Sequence, residues 1–299
     1  KYYESQFEEA TISLLHESHW QYTFGDDIHR KYTDPLIEDD LRAFLAAQYK
    51  DKQLTGAEVD GIVANLRNMG GQNDYFALQN TFLLYRDGFD FTYSDGRGNP
   101  FRLQYIDFEH PDHNIFRCVN QFVMEQGREN RRPDILLFVN GIPVCIVELK
   151  NPTKQSATIR DAHTQICTRY MRDIPALLKY CALAVISDGA KNALGTTYTP
   201  FEFFYEWKKI DNEDKAGKGL DTLRTLIRGA LSPERILEIL RDYVYFPDPS
   251  KEDDTTEIVC RYPQFFATRK LRDHILDHLR SVGGDGKGGT YFGATGCGK

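Results

Sequence analysis

Arg132-Pro133-Asp134 and, further on, Glu148-Leu149-Lys150 place two carboxylates and one ammonium on neighbouring extended segments. The order is Pro-Asp, apolar run, tight turn, apolar run, Glu-x-Lys. A metal-dependent phosphodiester hydrolase needs this set. A Mg²⁺ ion takes hard oxygen ligands, and one or two carboxylates suffice when water and phosphate oxygens complete the shell. Lys150 lies two residues past Glu148, so in a strand both point the same way. An ammonium there can orient the attacking water or stabilise charge developing on phosphate oxygens.

The segments that must position these groups form a hairpin. Ile135–Val139 and Pro143–Val147 are apolar on both faces and read as central strands. Asn140-Gly141 between them is a hairpin turn signal. A plain two-residue turn pairs Val139 with Ile142, and hence Asp134 with Val147. Asp134 and Glu148 then lie on opposite faces, where they cannot share an ion. The chemistry therefore requires a bulge, a three-residue turn, or Asp134 bending out of the ladder. Without that chemistry, the pattern is a core hairpin with polar ends.

Arg131-Arg132-Pro133-Asp134-Ile135-Leu136, Val139-Asn140-Gly141-Ile142-Pro143 and Glu148-Leu149-Lys150-Asn151-Pro152 together resemble the nuclease domain of the motor/restriction (R) subunit of type I restriction–modification enzymes, within the PD-(D/E)xK superfamily. Asn114-Ile115-Phe116, Asn120-Gln121-Phe122, Asp173-Ile174-Pro175, Ala184 to Gly189, Gly195-Thr196 and Trp207-Lys208 extend the similarity over roughly residues 80–209. The resemblance implies that Asp134 and Glu148 hold Mg²⁺ and that Lys150 is the catalytic lysine. It also implies a Gln and a Tyr four residues apart on the next helix. Here Gln165 and Tyr170 are five apart, which turns the second about a third of a turn off one α-helical face. Tyr170 joins the site only if the helix is locally irregular. An acid on the first helix often completes such sites; Glu8 and Glu9 are both available, and either can equally be an ordinary first-turn acid. The resemblance further implies double-stranded DNA as substrate, with modification methyltransferase and specificity subunits as partners.

Gly293-Ala294-Thr295-Gly296-Cys297-Gly298-Lys299 fits G-x-x-x-x-G-K, a nucleotide-phosphate loop, with Thr290-Tyr291-Phe292 suited to a short strand before it. In the resembling family this loop opens an ATP-driven, helicase-like motor, so Gly293, Thr295, Gly296, Gly298 and Lys299 are candidate ATP contacts in a full-length subunit. Gln264 is a weaker candidate for reading adenine, since a Gln at a helix start usually faces water.

A net charge of −7 argues against a free-standing tight duplex binder. Arg128, Arg131 and Arg132 could form a local phosphate-facing rim, with DNA delivered by partner subunits; otherwise they are a solvated loop. No apolar run approaches the ~20 residues that span a bilayer, and no secretory leader is read. Six scattered cysteines without Cys-x-x-Cys read as reduced thiols of a cytoplasmic protein.

The expected fold is α/β: a mixed sheet flanked by helices, the restriction-endonuclease-like core, followed by the first part of a RecA-like motor. Domains are expected at 1–246 (nuclease), 247–257 (linker) and 258–299 (motor start). Helices are expected at 4–17, 36–49, 57–69, 74–85, 158–171, 222–228, 233–243 and 262–279, and strands at 89–93, 101–107, 115–123 and 181–187 besides the hairpin. Glu109-His110-x-x-His113 has zinc-like spacing but lacks a partner cluster; His274 and His278, beside Asp273 and Asp277, read as a solvated face. The reading is a Mg²⁺-dependent DNA endonuclease. Its rivals are a stand-alone repair or recombination nuclease of the same superfamily, a catalytically inactive DNA-binding or assembly module, and a nucleotide-driven motor with a structural front domain.

Overall fold

The computed structural model describes residues 2–150, 158–211, 217–247, 255–290 and 292–293. Six strands form one mixed sheet: β1 (Gln21–Phe24), β2 (Phe116–Asn120), β3 (Ile135–Val139), β4 (Ile142–Leu149), β5 (Leu183–Ser187) and β6 (Asn192–Gly195). Their spatial order follows their sequence order. The β1–β2 and β4–β5 pairs are parallel and the others antiparallel. The mixed sheet and flanking helices match the expected class.

The longer helices among the described residues are α1 (Tyr2–Glu17), α2 (Glu38–Gln48), α3 (Gly56–Asn68), α4 (Asp74–Asp87), α5 (Ile159–Thr164, continued by Gln165–Tyr170 and Met171–Asp173), α6 (Leu220–Leu226), α7 (Pro233–Asp242) and α8 (Tyr262–Asp277). Thr55 and Glu58 close a capping box at the start of α3, and Asn73 caps α4 through the Phe76 N–H.

β3 and β4 are buried along their whole length, as their uninterrupted apolar runs require. Alternate residues of β3 enter two cores. Ile135, Leu137 and Val139 pack with α2, α3 and α7, while Leu136 and Phe138 pack with Ala162, Ile166 and Tyr170 of α5. The Asn140-Gly141 turn has positive φ at both residues, +51° and +76°, the backbone of a tight hairpin turn. A Cβ on Gly141 would lie 2.1 Å from the Ile37 carbonyl oxygen, so only glycine fits there.

Two edge strands escape the sequence pattern. β1 (QYTF) and β6 (NALG) are short and mixed in polarity. The extended stretches expected at 89–93 and 101–107 shrink to Phe89–Phe91 and Phe101–Leu103, a separate two-stranded ribbon. Neither Thr290 nor Phe292 is in a strand, and Tyr291 lies outside the described residues, as do Ala294–Lys299 of the phosphate-loop motif.

The expected 247–257 linker falls mostly outside the described residues. Residues 248–254 lie outside the described set, but Glu257 is buried and Ile258–Val259 pairs antiparallel with Val244–Tyr245. Phe265 and Phe266 of α8 join the same core as α7 and Trp207. The first turns of α8 thus pack on the core of the preceding residues. No helix among the described residues is long and apolar enough to cross a membrane.

Candidate active site

The register of β3 against β4 changes inside the hairpin. Val139 pairs with Ile142 and Phe138 with Pro143, but Leu137 pairs with Cys145. Val144 is the extra residue, a β-bulge. Its mark in the core is that Val144 and Cys145, adjacent in sequence, both pack into the same cluster, whereas Ile146 packs on the other side. Beyond the bulge, Ile135 pairs with Val147, so Asp134 stands opposite Glu148. Of the three routes that would bring the carboxylates to one face, the bulge is present, and Asp134 itself lies at a bend just outside the ladder.

The Asp134 carboxylate accepts a hydrogen bond from the Leu149 N–H at 2.7 Å, which holds it against β4. Glu148 is 1% exposed. Its Oε1 accepts from Lys150 Nζ at 2.7 Å and its Oε2 from the Tyr170 hydroxyl at 3.2 Å. Burial, with the neighbouring Asp134 charge, pushes the Glu148 carboxyl up to about 8 against the opposing pull of Lys150. Two carboxylates close enough to disfavour each other's charge, one of them out of water, form a donor set suited to a divalent cation. The residues present therefore fit Mg²⁺, a hard ion that oxygen ligands serve.

Lys150 Nζ also donates to Gln165 Oε1 at 2.8 Å, and Gln165 Nε2 donates to the Tyr170 hydroxyl at 2.7 Å. The five-residue spacing is resolved by the helix itself: Gln165–Tyr170 is a π-helical turn. A wider turn brings positions five apart onto one face, and such turns recur at functional sites. Glu148, Lys150, Gln165 and Tyr170 thus close a ring of four hydrogen bonds. Burial and the Glu148 charge raise the Tyr170 hydroxyl well above its ordinary range, so it stays a proton donor.

Glu8 and Glu9 separate cleanly. Glu8 accepts from Asn120 Nδ2 at 2.7 Å and from Gln121 Nε2 at 2.9 Å, and the Gln121 N–H donates to the Asp134 carbonyl. Glu9 is exposed and accepts from Ser5. Asn120 and Gln121, to which no role was assigned from sequence, carry Glu8 towards the Asp134 end of the sheet. The signal available for Gln121 is only its own φ of +53°, visible once the backbone is known.

The arginine rim divides. Arg131 is spent on Asp173 (2.7 Å) and Glu129 (2.5 Å). Arg128 and Arg132 are exposed and make no ion pair among the described residues. Gln264 Oε1 accepts the Arg261 N–H at 2.8 Å at the start of α8. His274 is exposed on α8 and His278, just past its end, is half-buried, with ring centroids 4.0 Å apart.

Residues 1–203 match the family model described as the type I restriction enzyme R protein N terminus. The chain is 29% identical over 307 aligned positions to the type I restriction enzyme HindI endonuclease subunit of Haemophilus influenzae, covering 99% of this chain and 29% of that protein. It is 31% identical over 193 positions to the putative type I restriction enzyme MjaIXP endonuclease subunit of Methanocaldococcus jannaschii, covering 58% of this chain and 18% of that protein. The chain therefore spans less than a third of the length of these relatives.

Proposed function

The chain belongs to the family of type I restriction enzyme R protein N termini, and on that premise we propose that it is the Mg²⁺-dependent DNA endonuclease part of such a subunit. The observation that carries this reading is the bulge at Val144, which sets Asp134 opposite Glu148 with Lys150 Nζ 2.7 Å from the Glu148 carboxylate.

In this reading Asp134 and Glu148 hold Mg²⁺, with Glu8 joining them from α1. The ion, when bound, lowers the pKa of a coordinated water and neutralises phosphate charge. Lys150 places a positive charge where negative charge develops on the phosphate. Two of its three N–H groups go to Glu148 and Gln165, and the third can orient water or a phosphate oxygen. Gln165 and Tyr170 fix the amine and the carboxylate relative to each other. Arg128 and Arg132 supply backbone contacts on a chain of otherwise negative charge. Site choice, ATP-driven translocation through a motor carrying the Gly293–Lys299 loop and Gln264, and association with methyltransferase and specificity subunits belong to the proposal for the full-length subunit.

The test is cleavage of unmodified plasmid by the complete assembly carrying Asp134→Ala, Glu148→Ala or Lys150→Ala. Each is expected to lower cleavage by roughly 10²-fold or more while ATP hydrolysis persists. Undiminished cleavage in all three variants would end the assignment.

A further inference from the structure

On the loop before β2, at the opposite end of β3 from Asp134, stands a second group of potential ligands. Asp107 Oδ2 lies 3.3 Å from His110 Nδ1 and 3.0 Å from His113 Nδ1, and the three ligand atoms all fall within 4.8 Å of one another. We propose that Asp107, His110 and His113 form a binding site for a divalent transition-metal ion of the Zn²⁺ class, separate from the Asp134–Glu148 pair.

The ligand types select the ion. Two imidazoles and one carboxylate suit zinc and its neighbours, whereas Mg²⁺ takes oxygen. Metal–ligand bonds of 2.0–2.2 Å in a tetrahedron place ligand atoms about 3.3–3.5 Å apart, close to both Asp–His separations. The partner missing from the sequence pattern is thus Asp107 and not Glu109.

The hydrogen bonding points the same way. Asp107 Oδ1 accepts the Glu109 and His110 N–H groups. Oδ2 accepts from Gln48 Nε2 at 2.9 Å and faces both histidine nitrogens as well. Three fixed donors thus take three of the roughly four lone-pair positions of one carboxylate, and the two ring nitrogens, donors or lone-pair bearers according to tautomer, compete for what remains. An ion on Oδ2 that takes the lone pairs of both imidazoles removes the competition. The carboxylate is a fixed base, with its side chain 7% exposed, while the two rings are half-exposed at 58% and 48%. Water therefore reaches the mouth and can complete the coordination.

Such an ion would brace the hairpin. The Asp107 N–H donates to Asn114 Oδ1, and Asn114 Nδ2 donates back to the Asp107 carbonyl. Asn114 Oδ1 also accepts from Asn140 Nδ2, at the turn between β3 and β4.

The metal-stripped full chain, held in excess Mg²⁺ at neutral pH, is titrated with Zn²⁺ by calorimetry and with Co²⁺ by visible absorption. One equivalent is expected, with a rise in Tm. It is expected to be retained in Glu148→Ala and in His274→Asn/His278→Asn. Affinity should fall at least about tenfold in His110→Asn and in His113→Asn, and the Tm rise should vanish in the double variant. An unchanged equivalent in His110→Asn/His113→Asn, or none in the wild type, would overturn the site.

Discussion

Tyr170 donates its hydroxyl proton to Glu148 while accepting one from Gln165, five residues earlier in its own helix. Both contacts depend on the π-helical turn between residues 165 and 170. Tyr170→Phe keeps the ring in its core but leaves the buried carboxylate one donor short. Chemical denaturation should show a loss of about 1–3 kcal/mol, and cleavage should fall without loss of fold. Gln165→Ala should lower cleavage with a smaller stability change, since its side chain is only partly buried.

Glu148 makes the metal-free protein sensitive to pH. Its folded pKa of about 8 lies above the ordinary 4.5. A raised carboxyl means that the folded state binds more protons than the unfolded state between those values. Its contribution is therefore full below about 4.5 and is lost as pH rises through about 8. Urea midpoints in the absence of metal should fall across that window, and in Glu148→Gln they should stay flatter. A wild-type profile as flat as that of Glu148→Gln would contradict the burial of this charge.

The same shift links protons to metal. Mg²⁺ requires the ionised carboxylate, so its affinity should rise with pH up to about 8. Calorimetry in two buffers of different ionisation enthalpy should detect release of up to one proton per ion near neutral pH. Asp134→Asn should weaken binding, and proton release independent of Glu148 would count against this ligand.

How much of this was legible beforehand differs by residue. The strands of the hairpin were readable because Ile135–Val139 and Pro143–Val147 are apolar without interruption. That same uniformity hides the bulge: a run apolar on both faces carries no parity, so nothing marks Val144 as the extra residue. Only the demand that Asp134 and Glu148 share a face required an irregularity. The π turn was hidden because a 3.6-residue period was assumed for α5, and the Gln165–Tyr170 spacing registered only as a departure from it. β1 and β6 were missed because edge strands of four residues need little apolar surface. Glu8 could not be told from Glu9 until Asn120 and Gln121 were seen to face it.

Removal of Val144 tests the bulge directly. With one residue fewer, β4 pairs regularly with β3 while Leu137 still meets Cys145 and Ile135 still meets Val147, so Glu148 stays opposite Asp134. Circular dichroism should still report a sheet protein, and Mg²⁺ binding should persist. Lost binding would show that the hairpin re-registers along the whole of β4.

Glu8→Gln and Glu9→Gln provide a paired comparison. Glu8→Gln should weaken Mg²⁺ binding and slow cleavage, whereas Glu9→Gln should leave both within error, because among the described residues Glu9 bonds Ser5 and is otherwise exposed. Equal effects would remove Glu8 from the proposed ligand set.

The ammonium of Lys150 already occupies one oxygen of Glu148. Until a stronger cation arrives, the protein carries its own counter-ion in the cleft. On the proposed reading, an ion that takes this oxygen frees one N–H of the amine towards a substrate, so ion entry and redeployment of Lys150 would be a single exchange.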